Sequence, residues 1–285
     1  MSPKPDRSTT AGAAYLDLRK LAAATNRPTD ELQQLYALEG FLDRLTRSTH
    51  SDKFVLKGGV LLAAYTERRP TRDVDLAARQ LQADEETIHS LVNEILAVAI
   101  DDGLTFDLDK TTVETIRDDA DYPGLRAKVS GSLATAMIRF HIDINIGDPI
   151  WPEPQPIELP RLLGSAPLTL DGYSAELVLA EKIVTALQRG TANTRWRDFV
   201  DIAALSRTNI NSQTLGESIR RVADHRATPI ATLTDALRGY ADIAQPRWSA
   251  WRRKQQLANA PDDFAELLTE VAAFADTILG PLKER

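Results

Sequence analysis

The spacing of apolar residues changes twice along the chain. In the first 50 residues they recur at helical intervals, as in the series that begins at Leu32, Leu35 and Leu38, which predicts amphipathic helices. Between residues 105 and 147 apolar and polar residues alternate, which predicts three or four β-strands. Beyond residue 174 the helical spacing returns. The pattern therefore predicts a mixed α/β first half followed by an α-helical second half.

Two shorter segments lie between the first helices and the strand-rich region. Residues 53–57 are rich in β-forming residues and end at Gly58-Gly59, after which residues 60–65 are apolar enough for one or two helical turns. Residues 71–77 alternate around Val74, and residues 84–100 have the pattern of a long amphipathic helix. The predicted order is strand, glycine turn, short helix, strand and long helix.

Prolines are concentrated after Asp148, at positions 149, 152, 154, 156 and 160. Because proline lacks an N–H group and fixes φ, this density is incompatible with a helix or a central strand. It predicts a boundary between one domain of residues 1–150 and another of residues 151–285. In the second domain, helices are predicted at residues 174–189, 194–206, 214–223, 232–241 and 262–279.

The composition is that of a folded globular protein. Of 285 residues, 43% are hydrophobic and 26% are charged, and none is cysteine, which excludes disulfide frameworks, thiol catalysis and cysteine-type zinc sites. Absence of cysteine is typical of a reducing compartment, and no apolar run is long enough to span a membrane. We therefore expect a cytoplasmic protein with no membrane partner.

The formal net charge is −7, from 34 basic and 41 acidic side chains. Such a chain has no global field that attracts nucleic acid, so a polyanionic partner would need a local basic patch. Each of three candidate clusters is most simply a solvated surface when it is considered alone, although the first two flank the candidate site motifs described below. The clusters are Arg68, Arg69 and Arg72; Arg189, Arg195 and Arg197; and Arg252, Arg253 and Lys254.

Candidate chemistry is concentrated in Gly58-Gly59 and in Asp73 and Asp75. Two glycines between a strand and a helix let the backbone approach a ligand, and the N–H groups of a helix N-terminus suit a phosphate. Asp73 and Asp75 are two residues apart on a predicted strand, so their carboxylates project from one face and can share divalent cations. Together they predict a phosphate cradle beside a metal site. An ordinary turn and a solvated strand face are the simpler alternatives for each motif taken alone.

A third carboxylate, Asp143, belongs to a strand with strict alternation. One face is apolar, and the other consists of Met137, Arg139, His141, Asp143 and Asn145. If this strand pairs beside the Asp73–Asp75 strand, three acids meet, as two-metal phosphoryl transfer requires: one ion activates the incoming hydroxyl and the other stabilises the triphosphate. The alternative is that the whole polar face, with His141, is only solvated.

Lys182 and Asp198 are the candidates in the helical half. Lys182 follows the apolar residues 177–180, so its ammonium is expected at the edge of a buried face, where it can neutralise triphosphate charge. A surface lysine is the alternative. Asp198 and Asp201 share one side of the next helix. Asp198 can orient Lys182 or accept a proton from the attacking hydroxyl, whereas Asp201 is equally consistent with a helix-dipole or salt-bridge role.

These motifs resemble those of the DNA polymerase β-like nucleotidyltransferases and, more closely, those of the AbiEii toxin family, which includes the MenT tRNA-modifying toxins. The resemblance depends on residues 57–60 (Lys-Gly-Gly-Val), 71–75 (Thr-Arg-Asp-Val-Asp), 142–144 (Ile-Asp-Ile), 179–183 (Leu-Ala-Glu-Lys-Ile) and 195–202 (Arg-Trp-Arg-Asp-Phe-Val-Asp-Ile). Many polymerase β-like enzymes have Gly-Ser where this chain has Gly58-Gly59. Backbone N–H groups would therefore replace a serine hydroxyl at the phosphate.

The resemblance implies an α+β fold, with the mixed sheet and helices of a polymerase β-like nucleotidyltransferase and a helical C-terminal domain that completes the active cleft. It also implies the residues of the site, including the preference for Asp198 over Asp201. The catalytic set is Asp73, Asp75, Lys182 and Asp198; the NTP-binding set is Lys57, Gly58, Gly59, Arg72 and Lys182; the ligands of Mg²⁺, or of Mn²⁺, are Asp73, Asp75 and Asp143.

The implied activity is that of the toxin of a toxin–antitoxin system. A metal-dependent enzyme would transfer NMP from an NTP to an RNA acceptor, the tRNA 3′ end, release pyrophosphate and arrest growth until a cognate antitoxin counters it. Without the resemblance, the residues predict only a phosphate site, a metal site and a group-transfer reaction. The alternatives are an enzyme of the same fold that acts on a small molecule or a protein hydroxyl, and a non-catalytic partner-binding module.

Overall fold

The computed structural model of the chain describes residues 4–68, 70–79, 81, 84–117, 123–164, 166–255, 257 and 260–283. The chain divides into two compact units. The first consists of Met1–Gly147 and Gln155–Gly172, and the second of Asp148–Pro154 and Tyr173–Arg285.

The first unit contains an eight-stranded sheet and helices. Its helices are α1 (Thr10–Thr25), α2 (Thr29–Arg47), α3 (Gly58–Leu61) and α4 (Glu85–Leu96). Its strands are β1 (Phe54–Lys57), β2 (Asp73–Ala78), β3 (Leu104–Phe106), β4 (Thr112–Arg117), β5 (Pro123–Leu133), β6 (Ala136–Asn145), β7 (Gln155–Leu159) and β8 (Leu168–Gly172).

The strand order is β3-β5-β6-β2-β1-β8-β7, and β4 also pairs with β5. The β2–β6 and β1–β8 pairs are parallel, whereas β1–β2, β5–β6 and β7–β8 are antiparallel. The sheet is therefore mixed, and the predicted fold class, a mixed sheet with helices followed by a helical region, is confirmed.

The core of the first unit lies between α2, α4 and one face of the sheet. On β6 the alternate residues Ile138, Phe140, Ile142 and Ile144 are buried, and the Phe140 ring lies 6.4 Å from that of Phe41 on α2. Each such side chain contributes about 1.5–3 kcal/mol when it leaves water. The same alternation places the polar residues of β6 on the opposite face.

β7 and β8 join the first unit, which differs from the boundary predicted at residue 150. β8 pairs with β1 at Leu56 and Gly172, and β7 extends the sheet beyond β8. Pro156 lies in this last strand of the order, where a missing N–H group is tolerated. The buried Glu39 of α2 accepts hydrogen bonds from the Leu162 N–H at 3.0 and 3.1 Å, so the loop between the two strands is also tied to the first unit.

The short segment Asp148–Pro154 joins the second unit instead. The Ser218 hydroxyl donates to the Trp151 carbonyl at 3.2 Å, and the Arg221 guanidinium lies 4.8 Å from the centre of the Trp151 ring. The proline-rich stretch therefore contains a crossing between the units, but residues 155–172 return to the sheet.

The second unit is helical. Its helices are α5 (Ala175–Arg189), α6 (Trp196–Ser206), α7 (Ser212–His225), α8 (Leu233–Ala236), α9 (Tyr240–Lys254) and α10 (Phe264–Lys283). Ser174 caps α5 as predicted, since its hydroxyl accepts from the Leu177 N–H at 3.2 Å. Where one helix was predicted at residues 232–241, the structure has the short α8 and then α9.

Aromatic side chains form the core of the second unit. Trp248 is fully buried, and its ring stacks on that of Phe264 with centroids 5.0 Å apart. Tyr240 meets Phe264 edge-on at 5.4 Å. Trp248 is therefore a packing residue. Within the described ranges, no helix is both long and apolar enough to cross a membrane.

Candidate active site

The pairing of β2 with β6 brings three aspartates onto neighbouring strands. In this parallel ladder Asp73 lies opposite His141, and Asp75 lies opposite Asp143. On the other side of β2, Lys57 of β1 lies opposite Asp75. The sequence alternation placed these acids on strand faces, and the register now places them side by side.

The Asp75 carboxyl group packs directly against Gly58. A Cβ atom at Gly58 would lie 1.9 Å from the Asp75 Oδ2 atom, and the φ angle of Gly58 is +67°. Only glycine meets both demands without strain. The Gly59 N–H donates to the same Oδ2 at 3.3 Å. The glycine pair therefore holds the second aspartate, which is a different arrangement from the free helix N-terminus predicted for a phosphate, and α3 is only four residues long.

The environment of Asp75 disfavours its charged form. Burial, followed by the negative charges of Asp73 and Asp143, raises the pKa of Asp75 to about 7, although Lys57 and the Gly59 N–H act in the opposite direction. Asp75 is thus crowded by two other carboxyl groups, and Lys57 compensates for them only in part. Such a donor set fits a divalent cation, which prefers carboxylate oxygens.

Asp143 has a partner that the sequence did not reveal. Arg126 of β5 lies opposite Asp143 in the antiparallel ladder, and its Nε and Nη2 atoms donate to the two carboxylate oxygens, each at 2.7 Å. Across the described ranges, no three His, Asp or Glu side chains are already grouped to hold an ion, which agrees with this fixed pairing. The alternation of β5 predicts a polar face, but the strand facing it cannot be read from the sequence.

The other predicted residues of the first unit differ in their surroundings. Lys57 is buried at 7% exposure, where it faces the acids as an internal counter-charge. Asp73 accepts from the Thr71 hydroxyl at 2.9 Å, which fixes the start of β2. Arg72 is exposed. The structure thus brings Asp73, Asp75, Asp143 and Lys57 to adjacent strand positions, and their roles toward nucleotide and metal stay predictions.

Lys182 of α5 belongs to a buried ionic cluster in the second unit. Its ammonium donates to Asp198 Oδ1 at 2.7 Å and to Asp201 Oδ2 at 2.8 Å. Arg195 Nε also donates to Asp198, at 2.7 Å. Both aspartates of α6 are buried. The preference for Asp198 over Asp201 therefore omits a second carboxylate that binds the same lysine.

The charge of Asp198 is strongly stabilised. Burial by itself would raise its pKa, but the charges of Lys182 and Arg195 outweigh burial and lower the pKa of Asp198 to about 2. A carboxylate of such low basicity is a poor proton acceptor near neutral pH. Of the two roles considered for Asp198, the structure favours orientation of Lys182.

The basic clusters found in the sequence are largely occupied by internal contacts. Arg68 donates to the buried Glu39 and to the Pro160 carbonyl, and Arg195 is bound to Asp198. Arg69 lies outside the described residues. These cations stabilise the two units, and so they are weaker candidates for a polyanion site than their number suggests.

Comparison with known families identifies the class of protein as a nucleotidyltransferase. The family model described as "Nucleotidyl transferase AbiEii toxin, Type IV TA system" matches residues 40–270. The chain belongs to this family of nucleotidyltransferase toxins, and membership implies an NTP substrate and a cognate antitoxin.

Solved structures share the fold at low sequence identity. MenT4, a nucleotidyltransferase toxin from Mycobacterium tuberculosis H37Rv, is 16% identical with a TM-score of 0.58, and the match covers 92% of this chain and 89% of that chain. JHP933 from Helicobacter pylori is 15% identical with a TM-score of 0.50, over 89% of this chain and 94% of that chain. A comparison with curated proteins found no match.

Proposed function

We propose that this toxin transfers NMP from an NTP to the 3′ hydroxyl of an RNA, with the tRNA 3′ end as acceptor, in a reaction that depends on Mg²⁺ or Mn²⁺ and takes place in the cytoplasm. The observation that supports it best is the parallel register of β2 and β6, which sets Asp75 beside Asp143 and next to Asp73. In a nucleotidyltransferase family, such a trio matches the requirement of phosphoryl transfer for clustered carboxylates.

Asp73 and Asp75 would hold the metal, with Asp143 as a third ligand in reach of the same strand face. When bound, the metal supplies charge neutralisation for the triphosphate and lowers the pKa of the attacking hydroxyl. Lys57 limits the repulsion among these acids before anything binds, because it faces Asp75 from β1. Gly58 and Gly59 keep Asp75 in its place.

Lys182 would neutralise negative charge on the triphosphate. Its two carboxylate partners, Asp198 and Asp201, fix the position of the ammonium. In the transfer, the acceptor oxygen forms a bond to the α-phosphorus, the bond from that phosphorus to the bridging oxygen breaks, and pyrophosphate leaves. A preorganised cation stabilises the charge that develops on the leaving group.

Label transfer tests the proposal. The purified protein is incubated with each of the four α-³²P-labelled NTPs and with total tRNA, aminoglycosides or bulk protein, in Mg²⁺, in Mn²⁺ and in EDTA. We expect label on tRNA from at least one NTP, a mass increase of one nucleotide, and no transfer in EDTA or with Asp73→Ala. Label on aminoglycosides or protein, but not on tRNA, would show that the acceptor is a small molecule or a protein and not tRNA. No transfer to any acceptor would support the non-catalytic alternative.

A further inference from the structure

The polar face of β6 leads along the sheet to the candidate active site. Met137, Arg139, His141 and Asp143 alternate with the buried residues that pack under α2, so their side chains lie on the face that α2 does not cover. At about 3.3 Å per residue, this row extends for about 20 Å from Met137 to Asp143. We call these four residues the β6 track.

β5 adds polar groups beside the β6 track. In the antiparallel register, Ser130 lies opposite Arg139, Lys128 opposite His141 and Arg126 opposite Asp143. Two of these cations are already paired: Arg126 with Asp143 at 2.7 Å, and Lys128 with Glu114 at 2.6 Å. Their partners reduce the charge that they offer to a ligand.

Arg139 is different. It is exposed, and in the described part of the chain its guanidinium makes no hydrogen bond or ion pair. The chain as a whole has a net charge of −7, so it attracts anions only at local basic groups. Arg139 lies two residues before His141, which is opposite Asp73, and its charge makes it such a local group. His141, also exposed, lies between Arg139 and Asp143 and offers a further hydrogen-bond donor.

Met137 adds an apolar contact at the far end of the track. At 71% exposure it is one of two large hydrophobic side chains that are exposed among the described residues. A flexible thioether packs well against flat aromatic rings such as nucleobases. A row of apolar, cationic and imidazole groups suits a single nucleic acid strand. Its bases can pack on the apolar group, and its phosphates can contact the cationic and imidazole groups.

The track is held in register with the acids. The Gln34 side-chain amide on α2 donates to the Arg72 carbonyl at 3.0 Å and to the Arg139 carbonyl at 2.9 Å. This bridge joins the residue before Asp73 to the middle of the track. A strand that lies on Arg139 is therefore positioned relative to Asp73 and Asp75.

We propose that the β6 track binds the last nucleotides of a single-stranded RNA acceptor and directs its 3′ hydroxyl to the three aspartates. Phosphates would contact Arg139 and His141, and a base would pack on Met137. This inference rests on the proposed RNA transfer and adds the surface that holds the acceptor. Backbone contacts of this kind position a strand without reading its sequence.

Binding and kinetics of two track variants test the proposal. Fluorescence anisotropy with a 5′-labelled RNA of about eight nucleotides gives the Kd over a range of salt concentrations. For Arg139→Gln we expect a Kd at least about threefold higher and a slope of log K against log salt that is smaller by about one. For Met137→Ser we expect a higher Kd with an unchanged salt slope, because no charge is lost. Arg19→Gln, an exposed arginine of α1, is the matched control and should bind as the wild type does.

Steady-state transfer separates this inference from the proposed function. In Arg139→Gln the KM for RNA should rise while the KM for NTP stays within about twofold, because the lost contact is to the acceptor. Circular dichroism checks that each variant is folded. If the wild type labels RNA but Arg139→Gln has an unchanged Kd, salt slope and KM, the track is wrong and the proposed function stands. If the wild type neither binds nor labels RNA, both the track and the proposed function are overturned.

Discussion

The negative charge of Asp75 lowers the stability of the folded protein when no cation is bound to it. Its pKa is raised to about 7, first by burial and then by Asp73 and Asp143. In the unfolded chain an aspartate has a pKa of about 3.9. The folded state therefore holds its proton more tightly, and the stability that this contributes is complete below about pH 4 and is lost as the pH rises through 7.

Replacement of Asp75 by Asn should therefore stabilise the metal-free protein while it removes activity. At pH 8 in EDTA we expect the free energy of unfolding to rise by about 1 kcal/mol or more, which is about 2–4 °C in the unfolding midpoint. The gain should disappear below about pH 3, where the wild-type carboxyl is protonated in both states. Thermal unfolding at several pH values measures it, with the exposed Asp52→Asn as control. A destabilised Asp75→Asn protein at pH 8 would contradict the assignment.

Arg126 places a positive charge where a metal would need its third ligand. Its two hydrogen bonds occupy both oxygens of Asp143, and a neighbouring cation opposes the binding of another. Arg126→Gln should therefore increase Mn²⁺ affinity at least about threefold, measured by electron paramagnetic resonance without nucleotide. Lys128→Gln removes the same charge two residues further along β5, where Lys128 forms an ion pair with Glu114. This control variant should change the Mn²⁺ affinity less. Equal effects in the two variants, or weaker Mn²⁺ binding in Arg126→Gln, would show that Arg126 does not set the affinity.

At the scale of elements, α5 and α6 are joined by the Lys182 cluster. Lys182 bridges Asp198 and Asp201, which lie one helical turn apart on α6. Because the three groups form one unit, loss of either carboxylate displaces the ammonium of Lys182. A charge-assisted contact to the triphosphate is worth roughly 1.5–3 kcal/mol.

Lys182→Ala should thus reduce turnover and NTP binding at least about tenfold to a hundredfold. Asp198→Ala and Asp201→Asn should each reduce activity by displacing the lysine, and the Lys182→Ala/Asp198→Ala double variant should be little worse than either single one. Steady-state kinetics with a fold check measures this. Glu217→Gln, which alters two surface ion pairs on α7, with Arg220 and Arg221, is the control. Strictly multiplicative losses in the double variant would refute a coupled unit.

β7 and β8 complete the sheet of the first unit from beyond the crossing segment. A fragment that ends at residue 150 loses the strand that pairs with β1 and leaves the buried Glu39 without the Leu162 N–H. Buried groups without partners are costly. We expect a fragment of residues 1–172 to show slower amide hydrogen exchange in β1 and β2 than a fragment of residues 1–150. Equal protection in the two fragments would show that the hairpin is dispensable.

At the scale of the whole molecule, residues from both units should be needed for one biological effect. The AbiEii family is a family of toxins, so expression of the wild-type chain in a bacterial host should arrest growth. Asp73→Ala, in the first unit, and Lys182→Ala, in the second, should each abolish the arrest at equal protein levels, because each removes charge stabilisation from the same transfer. Growth curves with immunoblots test this, and Arg19→Gln should remain toxic. Growth arrest by Asp73→Ala or by Lys182→Ala would show that toxicity does not depend on the transfer reaction.

Local patterns predicted most of the elements. The helical spacing around Leu32 and Leu35 predicted α2, Ser174 marked the start of α5, and the alternation from Met137 to Asn145 predicted β6. These signals are local, because burial on one side of an element imposes its period on the sequence. The helix predicted at residues 232–241 reaches only the start of α9, whose interior contains Pro246, a residue that in the sequence argues against one continuous helix. β7 and β8 were missed because prolines dominate their region.

The chemical groups available to this protein can be read from the sequence alone: its acids at Asp73, Asp75 and Asp143, the glycine pair, Lys182, and the motifs that resemble the AbiEii family. The partners of these groups become visible only in the folded chain. The tertiary structure placed Asp143 opposite Asp75 and bound it to Arg126, packed Asp75 against Gly58, and gave Lys182 a second carboxylate in Asp201. The physical reason is that strand register and helix docking depend on contacts between residues far apart in the chain. A local period shows which face a side chain lies on, but not what it meets there.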